Sequence, residues 1–263
     1  MNKPKISIIT PSFNQGHFIE NAINSVLDQK YNNIEHIIVD GGSSDDTISI
    51  LKKYPHLKWI SEPDKGQSDA LNKALAMATG DIIGWLNTDD YYSNGIFDII
   101  SDSFNNNDID ILYGDNYFVN SEKKLLGTKK SNSYNKNLTY FYCYIPSTSF
   151  FMRRNIIDQG VRFDIDFDVC MDKEFFAHLA NLNKKFKYIS MIMAYFTIHE
   201  NNKSNLSPEV KDKNLKESII IINRYYKKEI RIISDKYFYK ICFFYNLLKR
   251  RLILAKDYLL INK

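Results

Sequence analysis

Residues 82–90 read Ile82-Ile83-Gly84-Trp85-Leu86-Asn87-Thr88-Asp89-Asp90. The apolar run is too short for a helix and hydrophobic throughout, the pattern of a parallel strand covered on both faces. It ends in two adjacent carboxylates where such a strand emerges. In open α/β sheets, ligands bind outside the carboxyl ends of the strands. Two acids aimed into that crevice are costly without a positive partner, and a hard divalent cation is the fitting one. The same acids can equally cap a helix starting near Asn94, since acidic residues favour helix entries. The stretch alone does not choose.

The same unit recurs upstream. Residues 5–13 hold a first buried strand, Ile6-Ser7-Ile8-Ile9-Thr10, ended by Pro11. Apolar residues at Phe18, Ile19, Ala22, Ile23, Val26 and Leu27 give 17–29 a helical spacing. A second strand over 34–40 terminates in Asp40. Gly41-Gly42-Ser43-Ser44-Asp45-Asp46-Thr47 then turns into a helix predicted to reach residue 54. Its glycines permit close backbone approach, and Ser43, Ser44 or Asp45 can cap the helix. A third strand, 57–61, passes through Glu62-Pro63-Asp64-Lys65-Gly66 into a helix predicted to run to residue 79. Strands alternating with helices through short loops call for a parallel sheet covered by helices. Such a sheet gathers Asp40, Asp64 and the Asp89/Asp90 pair on one rim, a convergence that helix capping explains poorly.

Past Asn94 the pattern loosens. A helix is predicted over 95–104 and strand over 109–119, after which Asn, Lys and Ser dominate to residue 137 and predict an exposed excursion. Aromatics at Tyr140, Phe141, Tyr142 and Tyr144 precede Pro146-Ser147-Thr148-Ser149-Phe150-Phe151-Met152-Arg153-Arg154. Asp164, Asp166, Asp168 and Asp172 alternate in the manner of a calcium loop, but the glycine and terminal glutamate of an EF-hand are missing. Asp172 differs from the other three in sitting at the start of a helix predicted through residue 182, with Glu174 two residues on. Residues 186–196 predict a strand pair, followed by Thr197-Ile198-His199-Glu200-Asn201-Asn202-Lys203.

The bulk properties fit one large α/β domain with an appendage: 263 residues, 44% hydrophobic and 14% aromatic. A net charge of +4 gives no reason to expect nucleic acid as a partner. Cys143, Cys170 and Cys242 are too widely spaced for a disulfide framework or a zinc site, which fits a reducing cytoplasm. Lys3 is followed by a short apolar stretch that breaks at Thr10-Pro11, so no secretory signal is expected. No run reaches the roughly 18 apolar residues of a membrane span. The charge is uneven: residues 209–263 carry fourteen Lys or Arg against six Asp or Glu, a net +8, which leaves the rest near −4. From about residue 208 the chain reads as helices, and 237–260 mixes Phe238, Phe243, Phe244, Leu247 and Leu248 with Lys240, Lys249, Arg250 and Arg251. That composition suits an anionic membrane surface, and equally a helix packed on the domain or on a second subunit.

Taken together, ITPSFNQGHFIENAINSVLDQ (9–29), VDGGSSDDT (39–47), EPDKGQSDALNKALAMATGD (62–81), WLNTDD (85–90) and PSTSFFMRR with MDKEFF (146–154 and 171–176) resemble the family 2 glycosyltransferases of GT-A fold. The pieces cover roughly residues 5–200 in family order. The resemblance implies a Rossmann-like, mostly parallel central sheet with helices on both faces and a C-terminal helical extension. It divides the chain into a glycosyltransferase domain over 1–205, with a nucleotide-binding half (1–92) and an acceptor-side half (93–205), and a basic amphipathic tail over 206–263.

The implied reaction is transfer of a sugar, with inversion, from a nucleotide-diphosphate sugar, in the usual case a UDP-sugar. The implied acceptor is a glycan or lipid-linked sugar of surface polysaccharide assembly. By similarity Pro11, Ser12, Asn14, Asp40, Gly41 and Ser43 serve the base and ribose, with Asp40 accepting from the uracil ring, and Asp64 and Lys65 lie in a loop closing over the nucleotide. Asp90 is expected to ligate Mn2+ or Mg2+, with His199 near the metal and Asp89 on the ribose or a metal-bound water. Such a cation stabilises charge developing on the leaving diphosphate. Asp172 is expected as the base that deprotonates the acceptor hydroxyl, with Glu174 as the alternative. The choice of sugar, acceptor and linkage is expected to depend on pocket shape around Trp85, Tyr91, Tyr92 and residues 120–150. A sugar nucleotidyltransferase normally wants a basic, glycine-rich first loop, whereas Pro11-Ser12-Phe13-Asn14 carries no basic residue. A non-catalytic nucleotide-sugar sensor has no need of Asp172. The tail would hold a cytoplasmic enzyme peripherally at the inner face of the plasma membrane. Oligomeric state is open.

Overall fold

The computed structural model describes residues 3–203 and 207–226, with residues 244, 248 and 251 beyond them. The first half builds the expected alternation: β1 (Ile6–Ser12), α1 (Gly16–Leu27), β2 (Ile34–Asp40), α2 (Thr47–Leu51), β3 (Lys58–Ser61), α3 (Gln67–Met77) and β4 (Ile82–Trp85). β1 lies between β2 and β4, and β2 pairs with β3, all in parallel. Every residue of β1 and β4 is buried, which is why these strands read as continuous apolar runs rather than as alternation. Ile9, Ile37 and Val39 face Ala70, Leu71 and Ala74 of α3, while Ile38 faces Ile19 and Ile23 of α1 on the other side. Helices therefore cover both faces.

The second half continues with β5 (Tyr91–Tyr92), α4 (Ile96–Asn105), β6 (Ile111–Asn120), β7 (Leu125–Lys129), α5 (Lys136–Phe141), β8 (Phe150–Arg153), α6 (Asn155–Asp158), α7 (Met171–Asn181), β9 (Phe186–Ile198) and α8 (Pro208–Tyr225). The nine strands form one sheet in the order β3-β2-β1-β4-β8-β6-β9-β5, with β7 paired to β6. Antiparallel pairs enter with β8, which joins β4 to β6, so the sheet is parallel from β3 to β4 and mixed beyond. Gly84 makes that junction possible: a Cβ there would lie 2.5 Å from the Phe151 ring and 2.8 Å from Ile8.

Two sequence expectations are corrected. Residues 121–126 are exposed as expected, but the excursion is not irregular: β7 folds back on β6 as a hairpin, and Ser131 and Asn132 are fully buried. Residues 186–198 form one long strand rather than a pair, running parallel to β6 along its length. α8 follows the expected boundary at residue 205, yet Ile221 and Ile222 sit in the same core as α5 and α7. The stretch 237–260, read as a surface-seeking helix, lies outside the described residues apart from three isolated positions.

At the amino end of the sheet Glu35 is buried and ties three strands together. Its carboxylate accepts from Lys5 Nζ (2.9 Å), Lys58 Nζ (2.6 Å), Ser7 Oγ (2.5 Å) and the Thr79 amide (2.7 Å). Burial pushes its pKa up, but these partners outweigh burial and hold the carboxyl well below its ordinary 4.5. A carboxyl with a depressed folded pKa stabilises the fold above its unfolded pKa, and that contribution fades as pH falls below about 4.5. Glu35→Gln is expected to cost about 1–3 kcal/mol at pH 7, discounted because both lysines reach solvent. The gap from wild type is expected to shrink below pH 4.5, read by urea denaturation across pH.

Candidate functional site

Strand register sets the position of the site. Ser12 lies opposite Asp40 and Asp40 opposite Ser61, so the carboxyl ends of β1, β2 and β3 are level. Beyond that rim opens a cleft of about 400 Å³, within the range of small-molecule sites. Pro11, Ser12 and Phe13 line it from the end of β1, and Asp64 and Gln67 from the entry to α3. Trp85, Asn87 and Asp89 come from the end of β4, Asp168, Val169 and Asp172 from the entry to α7, and Phe196, Asn202 and Lys203 from the end of β9. The buried Ser12 hydroxyl has no partner among the described residues. Phe13 shows a largely exposed ring at the mouth.

The 87–90 loop is held from within. Trp85 Nε1 (2.8 Å) and Gln67 Nε2 (3.0 Å) donate to Asn87 Oδ1, and Asn87 Nδ2 donates to Asp90 Oδ2 (3.1 Å). Asp90 Oδ1 accepts the Thr197 amide of β9 (2.9 Å), and Thr88 Oγ1 donates to the Pro11 carbonyl (2.6 Å). Asp90 is 1% exposed and does not line the cleft. Burial first, and the charge of Asp89 second, push its carboxyl up, against the two bonds it accepts. Asp89 faces the cleft instead, where its Oδ2 lies 3.0 Å from His199 Nε2 and accepts from Asn202 Nδ2 (3.2 Å). The two adjacent acids thus point opposite ways: Asp89 lines the cleft, while Asp90, the expected metal ligand, points inward behind it.

Asp40, Gly41, Ser43 and Asn14 form a layer behind the cleft wall. Asp40 has no exposure; it accepts from the amides of Gly42 (3.0 Å) and Ser43 (2.8 Å) and from the hydroxyls of Ser61 (2.7 Å) and Ser43. Its oxygens, expected to accept from a uracil ring, fasten the β2–α2 turn in this structure. Asn14 clasps the same turn, its amide donating to Ser43 Oγ (2.7 Å) and its Oδ1 accepting the Ser44 amide (2.9 Å). Gly41 is needed because Asp64 lies against it: a Cβ would come within 2.8 Å of Asp64 Oδ2. Lys65 is exposed outside the cleft.

On the far side Asp172 sits in the first turn of α7 and lines the cleft. Its Oδ1 accepts the Lys173 amide (2.6 Å) and its Oδ2 the Cys143 thiol (3.3 Å). Glu174 is turned away, 1% exposed, with Oε1 accepting from Tyr225 (2.5 Å) and Arg224 (3.1 Å). Of the two candidate bases, the cleft receives Asp172. Tyr92 is buried in the core and Tyr91 stacks on Tyr195, so neither lines the cleft, whereas Trp85 does. Sequence reasoning missed Phe13, Asn202 and the pair Lys203–Asp168, whose side chains meet at the cleft. Phe13 could have been found from its place in the Pro11–Asn14 turn; no spacing signals the pair, 35 residues apart.

Among the described residues no group of three or more His, Cys, Asp or Glu is gathered as a ready-made metal cage. Asp89 and His199 are two. Their 3.0 Å separation matches two adjacent ligands of an octahedral ion at about 2.1 Å, and magnesium-type ions commonly take one or two protein ligands and complete their shell with phosphates and water. The residues fit a cation that arrives with a diphosphate.

The family model described as glycosyl transferase family 2 matches residues 7–180, and the chain belongs to that family. An uncharacterised glycosyltransferase of Nostoc is 26% identical over 218 residues, covering 75% of this chain and 66% of that protein. A Bacillus subtilis protein named for teichuronic acid biosynthesis, TuaG, is 42% identical over 94 residues, 34% of this chain and 37% of its own. The chondroitin synthase of Pasteurella multocida is 25% identical over 232 residues, 84% of this chain but 23% of the synthase. The chain thus spans part of each relative it matches. Among solved structures, TarS residues 1–349 of S. aureus, in complex with UDP, superposes with a TM-score of 0.66 at 20% identity over 92% of this chain and 70% of that one. A Pyrobaculum calidifontis mannosyltransferase with GDP-Man and Mn2+ gives 0.64 at 14% identity over 97% and 75%. These likenesses establish the GT-A fold.

The opposite orientations of the paired acids separate their effects on stability. Asp90→Ala is expected to destabilise by about 2–4 kcal/mol, because it leaves the half-buried Asn87 amide and the buried Thr197 N–H without an acceptor. Asp89→Ala is expected to change stability by less than about 1 kcal/mol, as usual for a cleft residue outside the core. Chemical denaturation of both variants reads the difference.

Proposed function

We propose that this member of glycosyl transferase family 2 is a metal-dependent inverting glycosyltransferase that moves a sugar from a nucleotide-diphosphate sugar, a UDP-sugar by family likeness, to a glycan or lipid-linked acceptor in surface polysaccharide synthesis. The observation that carries the reading is one cleft holding both Asp89, beside His199, and Asp172 at the start of α7. A binding protein needs the first but not the second.

Each wall has a task on this reading. The exposed Phe13 ring offers a stacking face for the base, and the unpartnered Ser12 hydroxyl a bond for the nucleoside. Asp64, pressed on Gly41, borders the nucleotide side. Asp89 and His199 would hold a divalent cation, which when bound supplies Lewis-acid stabilisation of charge on the departing diphosphate. Asp172 takes the proton of the acceptor hydroxyl as its oxygen attacks the anomeric carbon, and the bond from that carbon to the diphosphate breaks on the opposite face. Asp172 is held in place by the two hydrogen bonds it accepts, from the Lys173 amide and the Cys143 thiol. Asn87 and Asp90 carry no chemistry; they fix the loop that presents Asp89.

The relatives named for chondroitin and teichuronic acid support a polysaccharide acceptor, and the TarS complexes with UDP and UDP-GlcNAc support a uridine donor. Among the described residues no helix is long and apolar enough to cross a membrane. Peripheral association through the basic segment 206–263, on the cytoplasmic side, remains part of the proposal. There α8 turns Glu217, Ser218, Ile221 and Ile222 into the domain, so the residues beyond it would make the contact.

Asp172→Asn is expected to lower kcat for sugar transfer by about 10²–10⁴-fold, the range of a positioned base, with donor affinity unchanged. Glu174→Gln is expected to leave kcat within about threefold, as it faces away from the cleft and its amide oxygen can still accept from Tyr225 and Arg224. Asp89→Ala is expected to abolish the manganese-dependent part of UDP-sugar binding in calorimetry. Wild-type kcat in Asp172→Asn would overturn the base assignment.

A further inference from the structure

The entry to α7 carries Asp172, yet this helix has no side-chain cap of its own: Cys170, at the cap position, makes no capping bond. The acceptor comes from 47 residues away. Glu217, on α8 and 6% exposed, takes the three consecutive amides of Asp168 (3.2 Å), Val169 (3.0 Å) and Cys170 (2.7 Å). A carboxylate at a helix N-terminus is favoured by the peptide dipoles and by the unpaired N–H groups there. Glu217 thus grips the turn that enters α7, the amide of the cap residue Cys170 included.

The rest of the inner face of α8 serves the same segment. Ser218 accepts from Lys173 Nζ (2.9 Å), Lys213 Nζ donates to Asp168 Oδ2 (2.5 Å), and Arg224 reaches both Asp164 (2.7 Å) and Glu174 (3.1 Å). Residues 213, 217, 221 and 224 recur at helical spacing, with Ile221 as the apolar contact among the polar ones. Asp168 and Val169 line the cleft, so the backbone that Glu217 grips is itself cleft wall. None of α8 lies within the family match, which ends at residue 180.

We infer that Glu217 is a positioning residue for the transfer step: α8 clamps residues 168–170 and thereby fixes where Asp172 meets the acceptor. The inference rests on the reading of Asp172 as base. In-line attack is sensitive to placement, and a displacement of about 1 Å can cost about 10²-fold in rate. Glu217→Gln keeps the shape but removes the charge and turns an N–H₂ group toward backbone donors, so the clamp loosens without a cavity.

The test measures kcat for sugar transfer from UDP-GlcNAc, donor affinity by calorimetry, and amide hydrogen exchange over 164–174. Glu217→Gln is expected to lower kcat about 10–100-fold, leave donor affinity within about threefold, and raise exchange at 168–170, on the scale of a misplaced catalytic group. Lys216→Gln, a change to an exposed ion pair with Asp212 on the same helix, is the control and is expected to leave all three unchanged. If Glu217→Gln does not fold, Lys213→Met, which cuts the half-exposed tie to Asp168, carries the test, with a smaller loss in kcat and the same rise in exchange. Wild-type kcat and exchange in the variant would overturn the inference, as would equal losses of kcat and donor affinity. Absence of transfer by the wild type would instead sink the functional reading, and the exchange result would then decide the clamp alone.

Discussion

A buried carboxylate joins the two halves of this protein. Asp90 follows β4, in the parallel half of the sheet, and binds the amide of Thr197, on the long strand β9 of the mixed half. Its other oxygen takes Asn87, which is in turn held by Trp85 and Gln67. A lone buried acid is costly, and its depth and the neighbouring Asp89 both oppose ionisation. Its value is geometric: with Asp90 anchored inward, Asp89 can only project into the cleft, where His199 and Asn202 meet it.

The same division of labour runs round the rim. Asp40, Ser43 and Asn14 lock two turns together so that Ser12 and Phe13 are presented on a stiff edge. Glu174 holds α7 to α8 while Asp172, two residues earlier, faces the cleft. Twice, with Asp90 behind Asp89 and Glu174 behind Asp172, a buried acid that binds its neighbours stands behind an acid at the cleft. Preorganisation of this kind lowers the cost of arranging charge when a substrate arrives.

Much of this was legible in the chain. Strands buried on both faces read as apolar runs, and acids at their ends read as a rim, so β1 to β4 and the crevice beyond them were accessible to pattern. The helix-start position of Asp172 likewise pointed to the cleft. What pattern could not give was orientation inside a turn. Asp89 and Asp90 are chemically identical, and the choice between them rests on Thr197, more than a hundred residues on. Asp40 looked available because the hydroxyl of Ser61, which fills it, arrives from another strand. The β7 hairpin was hidden because its Leu125 and Leu126 are more than half exposed, leaving no alternation for the eye to catch. Glu217 was invisible for the same reason as Thr197: its partners are local to each other and remote from it.

The central claim is that Asp89, with His199, rather than Asp90, meets the metal and diphosphate, across the same cleft as Asp172. Anomalous scattering from a crystal grown with manganese and UDP-GlcNAc tests it most directly. The account predicts a manganese peak bonded to Asp89 and to diphosphate oxygens, with the Asp90–Thr197 bond intact and the sugar between the metal and Asp172. A peak ligated by Asp90, with that bond broken, or a nucleotide bound outside the cleft, would contradict it.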